Sequence, residues 1–125
     1  MPESTLVRVV IVDPHPLFGE ALRACLSKGR HMVVGQARNS QEALQQTDSP
    51  CPDLIIVGPH LAESGLSVCR EISRRLPTLK ILLFTAHTDN PLFLADAANA
   101  GIAACLPPET TEEECLAMIA KVMAH

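Results

Sequence analysis

The sequence predicts an α/β fold, a doubly wound parallel sheet of five strands with a helix after each. Short apolar runs and amphipathic stretches alternate five times along 125 residues. The runs are continuously apolar rather than alternating, the pattern of strands covered on both faces. Each strand–helix unit takes about 25 residues, enough for a right-handed crossover back to a parallel strand. Five such units use the whole chain, so residues 1–125 are read as a single domain.

The strands are placed at Arg8–Val12, Met32–Ala37, Leu54–Val57, Lys80–Phe84 and Ala103–Leu106. After the first, Leu17, Ala21, Leu22, Cys25 and Leu26 share one helical face. After the second, Asn39-Ser40-Gln41-Glu42 reads as a helix cap with a Glu three residues on, leading into Ala43 and Leu44. Ser49-Pro50-Cys51-Pro52 is a turn. After the third strand, Leu66, Cys69, Ile72 and Leu76 recur at helical spacing until Pro77 stops them. Arg70, Arg74 and Arg75 fall on the solvated face of that helix, with Glu71 within reach of the last two. The fourth helix runs from Pro91 to Ala100 and ends at Gly101, a residue suited to a C-cap. The fifth opens on Thr111-Glu112-Glu113-Glu114, a capping box whose acids sit at the positive end of the helix dipole. Leu116, Ile119, Ala120 and Met123 continue it.

Composition removes several functions. Ten Lys and Arg against fourteen Asp and Glu leave a net charge of −4, with no Trp, no Tyr and three Phe. Such a chain lacks the cations to neutralise phosphates and the rings to stack bases, so it binds no nucleic acid directly. The longest apolar stretches, such as Leu54–Val57 and Ile81–Phe84, fall far short of the roughly 20 residues that span a bilayer. With Glu3 early and Asp13 ending the first apolar run, the N-terminus is not a secretory signal. Five scattered cysteines without a CxxC read as reduced thiols of a cytoplasmic protein, not as a disulfide framework or a zinc site. Cys25, Cys69 and Cys115 are expected in or beside the core. Cys105 has no Lys or Arg near it in sequence to make its thiol reactive.

In an open doubly wound sheet the functional crevice lies beyond the carboxyl ends of the strands. The residues there are Asp13-Pro14-His15, Gly58-Pro59-His60, Thr85-Ala86-His87 and Cys105-Leu106-Pro107-Pro108. No GxGxxG follows the first strand and no GxxxxGK[ST] occurs anywhere, which disfavours dinucleotide and P-loop nucleotide binding. Without a nucleophile–base pair, a GxSxG elbow or paired carboxylates, the chain is read as no enzyme, and no cofactor is assigned. His15, His60 and His87 share this edge and, with Asp13 or Cys105, offer donor types that suit a transition metal. Ordinary loop histidines are the preferred reading, so no metal is assigned. Asp13 is read as a solvated or capping carboxylate beside the first helix.

These loops carry a resemblance. The segments Val7-Arg8-Val9-Val10-Ile11-Val12-Asp13-Pro14-His15-Pro16-Leu17-Phe18, Pro52-Asp53-Leu54-Ile55-Ile56-Val57, Ile81-Leu82-Leu83-Phe84-Thr85-Ala86-His87 and Ala100-Gly101-Ile102-Ala103-Ala104-Cys105-Leu106 are its most specific parts. The chain resembles the receiver domain of bacterial two-component response regulators, in the subgroup attached to helix-turn-helix DNA-binding domains. The resemblance implies a flavodoxin-like sheet of order 2-1-3-4-5. It also implies a phosphoryl group taken from a histidine kinase onto an Asp after the third strand, with Mg²⁺ held by an acidic pair after the first. A Thr or Ser, a Lys and an aromatic reporter complete the family's pocket. Here the acceptor position is Gly58, the second acid is Pro14, the lysine is Pro108 and the aromatic is Cys105, while Thr85 is kept. Asp53 precedes its strand and so belongs to the opposite edge of the sheet.

The expectation is therefore a degenerate pseudo-receiver, phosphorylation-independent, acting by protein–protein interaction within a transcriptional response regulator. The resemblance places its docking face on the fourth helix, fifth strand and fifth helix, with Leu92, Phe93, Ala97, Met118, Lys121 and Val122. The partner is a protein, a second copy of the chain, or a fused DNA-binding effector continuing beyond His125. The alternative is a flavodoxin-like domain that binds a small ligand or cofactor.

Overall fold

A computed structural model describes residues 6–47, 51–61 and 65–124. Glu3, the Ser49-Pro50 half of the predicted turn and His125 lie outside the described residues. The element order is β1 (Arg8–Val12), α1 (Pro16–Lys28), β2 (Met32–Ala37), α2 (Ser40–Gln46), β3 (Leu54–Val57), α3 (Gly65–Arg75), β4 (Lys80–Phe84), α4 (Pro91–Asn99), β5 (Ala104–Leu106) and α5 (Glu112–Met123). The five strands form one parallel sheet of order β2-β1-β3-β4-β5.

The continuous apolar runs are explained by two cores. Side chains alternate across a strand. Val10, Val12, Ile55, Val57, Ile81 and Leu83 face a layer made with Val68, Cys69 and Ile72 of α3. Val9, Ile11, Leu54, Ile56, Leu82 and Phe84 face the other layer, against α1 and α5. With both faces covered, neither parity of residue can be polar beyond Arg8 and Lys80, which open β1 and β4. The edge strand β2 is the exception, with Met32 and Gln36 exposed.

Three local readings shift. Leu17 and Ala21 are exposed, and the buried stripe of α1 runs through Gly19, Leu22, Cys25 and Leu26, with Phe18 half-buried. Leu17 and Phe18 are neighbours about 100° apart on the helix, and Phe18 takes the inward place. At α2, the Asn39 side chain accepts from Glu42 N at 2.9 Å, but Glu42 turns back to accept from Arg38 N at 2.8 Å instead of closing a box on Asn39. β5 begins at Ala104 rather than Ala103, although Ala103 N still donates to Ile81 O at 2.8 Å. The capping box of α5 is complete: Glu114 N donates to Thr111 Oγ1 at 3.1 Å and Thr111 N to Glu114 Oε1 at 2.9 Å.

Gly101 takes φ +88° after α4, where only a glycine is free of strain. The matching position after α1 is Arg30, at φ +64°. It is held there by the paired bonds of a Schellman motif, His31 N to Leu26 O at 2.9 Å and Arg30 N to Ser27 O at 3.0 Å. Arg30→Gly is expected to stabilise the protein by about 1 kcal/mol, because a side chain in this region is strained. A raised urea midpoint at unchanged m-value checks it.

Candidate functional site

The ladder runs one residue past three strands and so fixes where their exit residues stand. Asp13 N donates to Ala37 O at 2.8 Å, Gly58 N to Val12 O at 2.9 Å and Thr85 N to Leu106 O at 2.9 Å. Asp13, Gly58 and Thr85 are thereby brought to one end of the sheet, each at the carboxyl end of its strand, as the sequence indicated.

The Asp13 side chain is wholly buried. This corrects the expected solvated or capping carboxylate: the N-cap of α1 is His15, and Asp13 instead closes a local turn by accepting from His15 N at 2.7 Å. Its other oxygen accepts from His60 N at 3.0 Å, and the His60 ring Nδ1 lies 3.2 and 3.1 Å from the two oxygens. The His60 ring lies on that of His15 with centroids 4.6 Å apart. Phe18 meets His60 edge-on at 5.9 Å and Phe84 edge-on at 5.3 Å, which ties the cluster to the α1–α5 core.

Gly58 does more than lack a carboxylate. A Cβ built on it would stand 2.7 Å from Asp13 Cγ and 2.8 Å from Asp13 Cβ, inside any real contact distance. The Asp13 side chain occupies the space that a side chain at 58 would need. Thr85 is buried, and its hydroxyl oxygen accepts from His87 N at 3.2 Å. His87 turns away from the other two histidines onto Phe93, with centroids 5.0 Å apart. Beside the cluster lies a cavity of about 280 Å³ whose lining includes Gly58, Leu83, Thr85, His87, Phe93 and Pro108.

The remaining candidates divide. Pro14 and Pro108 are exposed at this end of the sheet. Cys105 is half-buried, and burial pushes its thiol up, which slows its chemistry at neutral pH. Leu92 is 78% exposed, Lys121 is exposed, and Phe93 and Met118 are half-buried. Ala97 and Val122, expected on the same outer face, are buried. Ala97 packs into the core on the α3 side and Val122 into the core on the α1–α5 side, so neither is available to a partner. Asp53 lies at the far edge, as expected. Its carboxyl is held below its usual range, chiefly by the Arg8 N–H that donates to it at 2.9 Å.

The family's Mg²⁺ does not fit these residues. A hard divalent cation needs several oxygen ligands, most of them anionic. Among the described residues, the one carboxylate of the cluster, Asp13, already accepts from two backbone N–H groups and touches an imidazole. Among the described residues, no three His, Cys, Asp or Glu side chains are grouped to hold a metal. Of the three histidines, the structure brings together His15 and His60. The pairing of Asp13 with His60 was missed from the sequence, where nothing links positions so far apart.

Comparison with known proteins bears on the fold and the family. The family model of the response regulator receiver domain matches residues 9–120. The chain is similar to the transcriptional activator protein ExaE of Pseudomonas putida, 32% identical over 118 residues. It is also similar to the transcriptional regulatory protein NarL of Mycobacterium tuberculosis, 34% identical over 116 residues. These matches cover 93% and 90% of this chain but 55% and 53% of the relatives, so the chain spans about half their length. The solved signal receiver domain of NarL from Mycobacterium tuberculosis superposes with a TM-score of 0.83 at 29% identity, over 95% of this chain and 97% of that one.

Proposed function

The chain belongs to the response regulator receiver domain family, and from that premise we propose that it is a receiver working without phosphorylation, the regulatory part of a transcriptional regulator that acts through protein–protein contact. Receivers are signalling domains, and this reading gives the chain no catalytic step of its own.

One observation carries the reading: the Asp13 side chain fills the space over Gly58 and is held there by His60 and by the His15 N–H. Where the family presents a reactive acid, this chain has a hydrogen atom with a hydrogen-bonded, buried carboxylate above it. Pro14 supplies no second acid and Pro108 no cation. A switch driven by phosphorylation needs new contacts that exist in one state only. With neither acceptor nor gripping lysine, conformation is set by the sequence itself or by a partner. The exposed Leu92 beside half-buried Phe93 on α4, and Met118 and Lys121 on α5, offer contact area for that partner, whether a second copy or a DNA-binding effector domain.

Incubation with acetyl phosphate and Mg²⁺ followed by intact mass measurement tests this. The expected spectrum is that of the untreated chain. A stable species about 80 Da heavier, with the group on a carboxylate of this pocket, would overturn the reading.

The cavity of about 280 Å³ next to Gly58 favours one second reading, a small ligand seated where the phosphoryl chemistry is missing. A ligand or flavin chromophore that copurifies with the protein distinguishes it.

A further inference from the structure

Cys25 on α1 and Cys115 on α5 are both 3% exposed and interact directly, thiol to thiol. Both line a cavity of about 160 Å³ in the seam between the two helices, walled also by Phe18, Leu22, Phe84 and Thr111. Cys25 Sγ sits 3.7 Å from Glu112 O, and the Lys28–Glu112 ion pair at 2.7 Å crosses the same seam. Two thiols from opposite ends of the chain thus meet at one opening large enough for a small oxidant.

We propose that Cys25 and Cys115 form an intrachain disulfide when a peroxide enters this cavity, making the α1–α5 seam a site of reversible oxidation. Cys25 attacks first. Its sulfur displaces hydroxide from hydrogen peroxide, the O–O bond breaks, and the thiol proton leaves with the hydroxide as water. The resulting sulfenic acid is attacked by the Cys115 sulfur. The S–O bond breaks, the S–S bond forms, and a second water carries away the Cys115 proton. Two thiols are oxidised and one peroxide is reduced.

The order follows from the surroundings. Burial pushes the Cys115 thiol up to about 12. Burial raises Cys25 as well, but a hydrogen bond from Cys115 works the other way. Because the thiolate is the nucleophile, oxidation is slow at neutral pH and quickens as pH rises. The Asp13–His60 pocket takes no part, so this site stands whichever way that pocket works.

The test treats the Cys51→Ser protein with hydrogen peroxide, since Cys51 is exposed and would join copies to one another. The expected product is about 2 Da lighter, for the two hydrogens lost, and dithiothreitol restores the mass. Peptide mapping finds Cys25 linked to Cys115. The link persists with Cys69→Ser added and is lost with Cys115→Ser. A folded protein that keeps its thiols while the urea-unfolded chain oxidises under the same peroxide would overturn the proposal. So would a link joining Cys69 to Cys105, or oxygen added without any cross-link. The map of the Cys51→Ser protein decides the matter even if Cys115→Ser fails to fold.

Discussion

Gly58→Asp is expected to destabilise the protein by roughly 3–5 kcal/mol and still to leave it unable to take a phosphoryl group. Two costs add. A Cβ at position 58 lands within 2.8 Å of Asp13 carbon atoms that are themselves packed and buried, so something must shift. The new carboxylate then lies against an existing one, whose side-chain partner among the described residues is one imidazole. Two like charges at that spacing cannot both ionise cheaply. Gly58→Ala separates the two costs, since it carries the clash without the charge. Overpacking alone is worth roughly 1–3 kcal/mol. Urea denaturation of the single variants, and of both in an Asp13→Ala background, makes a double-mutant cycle. Shortening Asp13 to Ala removes the contact with its Cγ but leaves its Cβ 2.8 Å from the new one, so a partial favourable coupling is expected between positions 13 and 58. If Gly58→Asp instead folded as stably as the parent and gained mass from acetyl phosphate, the account of a pocket closed by Asp13 would be wrong.

The contrast between what the sequence reveals and what it hides follows from range. Strands β1, β3 and β4 were legible to the residue because each is buried on both faces and, after the Arg8 and Lys80 that open β1 and β4, every position had to be apolar. The caps at Asn39 and Thr111 were legible because a cap is a contact between neighbours. The boundary of β5 was not, since an edge strand of three residues carries little pattern. In α1 the inward Leu22, Cys25 and Leu26 were legible but the first turn was not, because Leu17 and Phe18 are both apolar and only Phe84 opposite decides which turns inward. The exit residues Asp13, Gly58 and Thr85 were found as a set because the topology rule points to strand ends. Their chemistry was half visible. Gly58 shows a missing acid in one letter. That Asp13 moves over it and pairs with His60 depends on a contact across 47 positions, for which no periodicity exists. Ala97 and Val122 failed as surface residues for a related reason: a helix packed on a sheet edge has a half-buried flank, and the sequence does not say on which side of it a small apolar residue falls.

Asp13→Ala is the sharper probe of what the carboxylate does. It removes the acceptor of three donors at once: His15 N, His60 N and the His60 ring. A donor left without a partner inside the protein costs about 1–3 kcal/mol. His60 is partly exposed, so water can recover its ring, and the hydrogen at Gly58 leaves room for a water beside the two amides. The expected loss is therefore roughly 2–4 kcal/mol rather than the sum of three donors. Asp53→Ala supplies the control. Asp53 also accepts from a backbone N–H, but its side chain is 36% exposed and its partner Arg8 is 45% exposed. That pair is worth at most about 1 kcal/mol, so the two variants should differ plainly in urea midpoint. Stability alone does not separate a structural clasp from a depleted cation site, because either would suffer when the acid is removed. Magnesium does separate them. A site that still used the cation would show NMR shifts at the Asp13, His15 and His60 amides on titration of the parent protein, and Asp13→Ala would abolish them. A clasp predicts no such shifts in the parent. It also predicts that the His60 ring, now without its carboxylate, moves off His15 in the variant whether or not the cation is present.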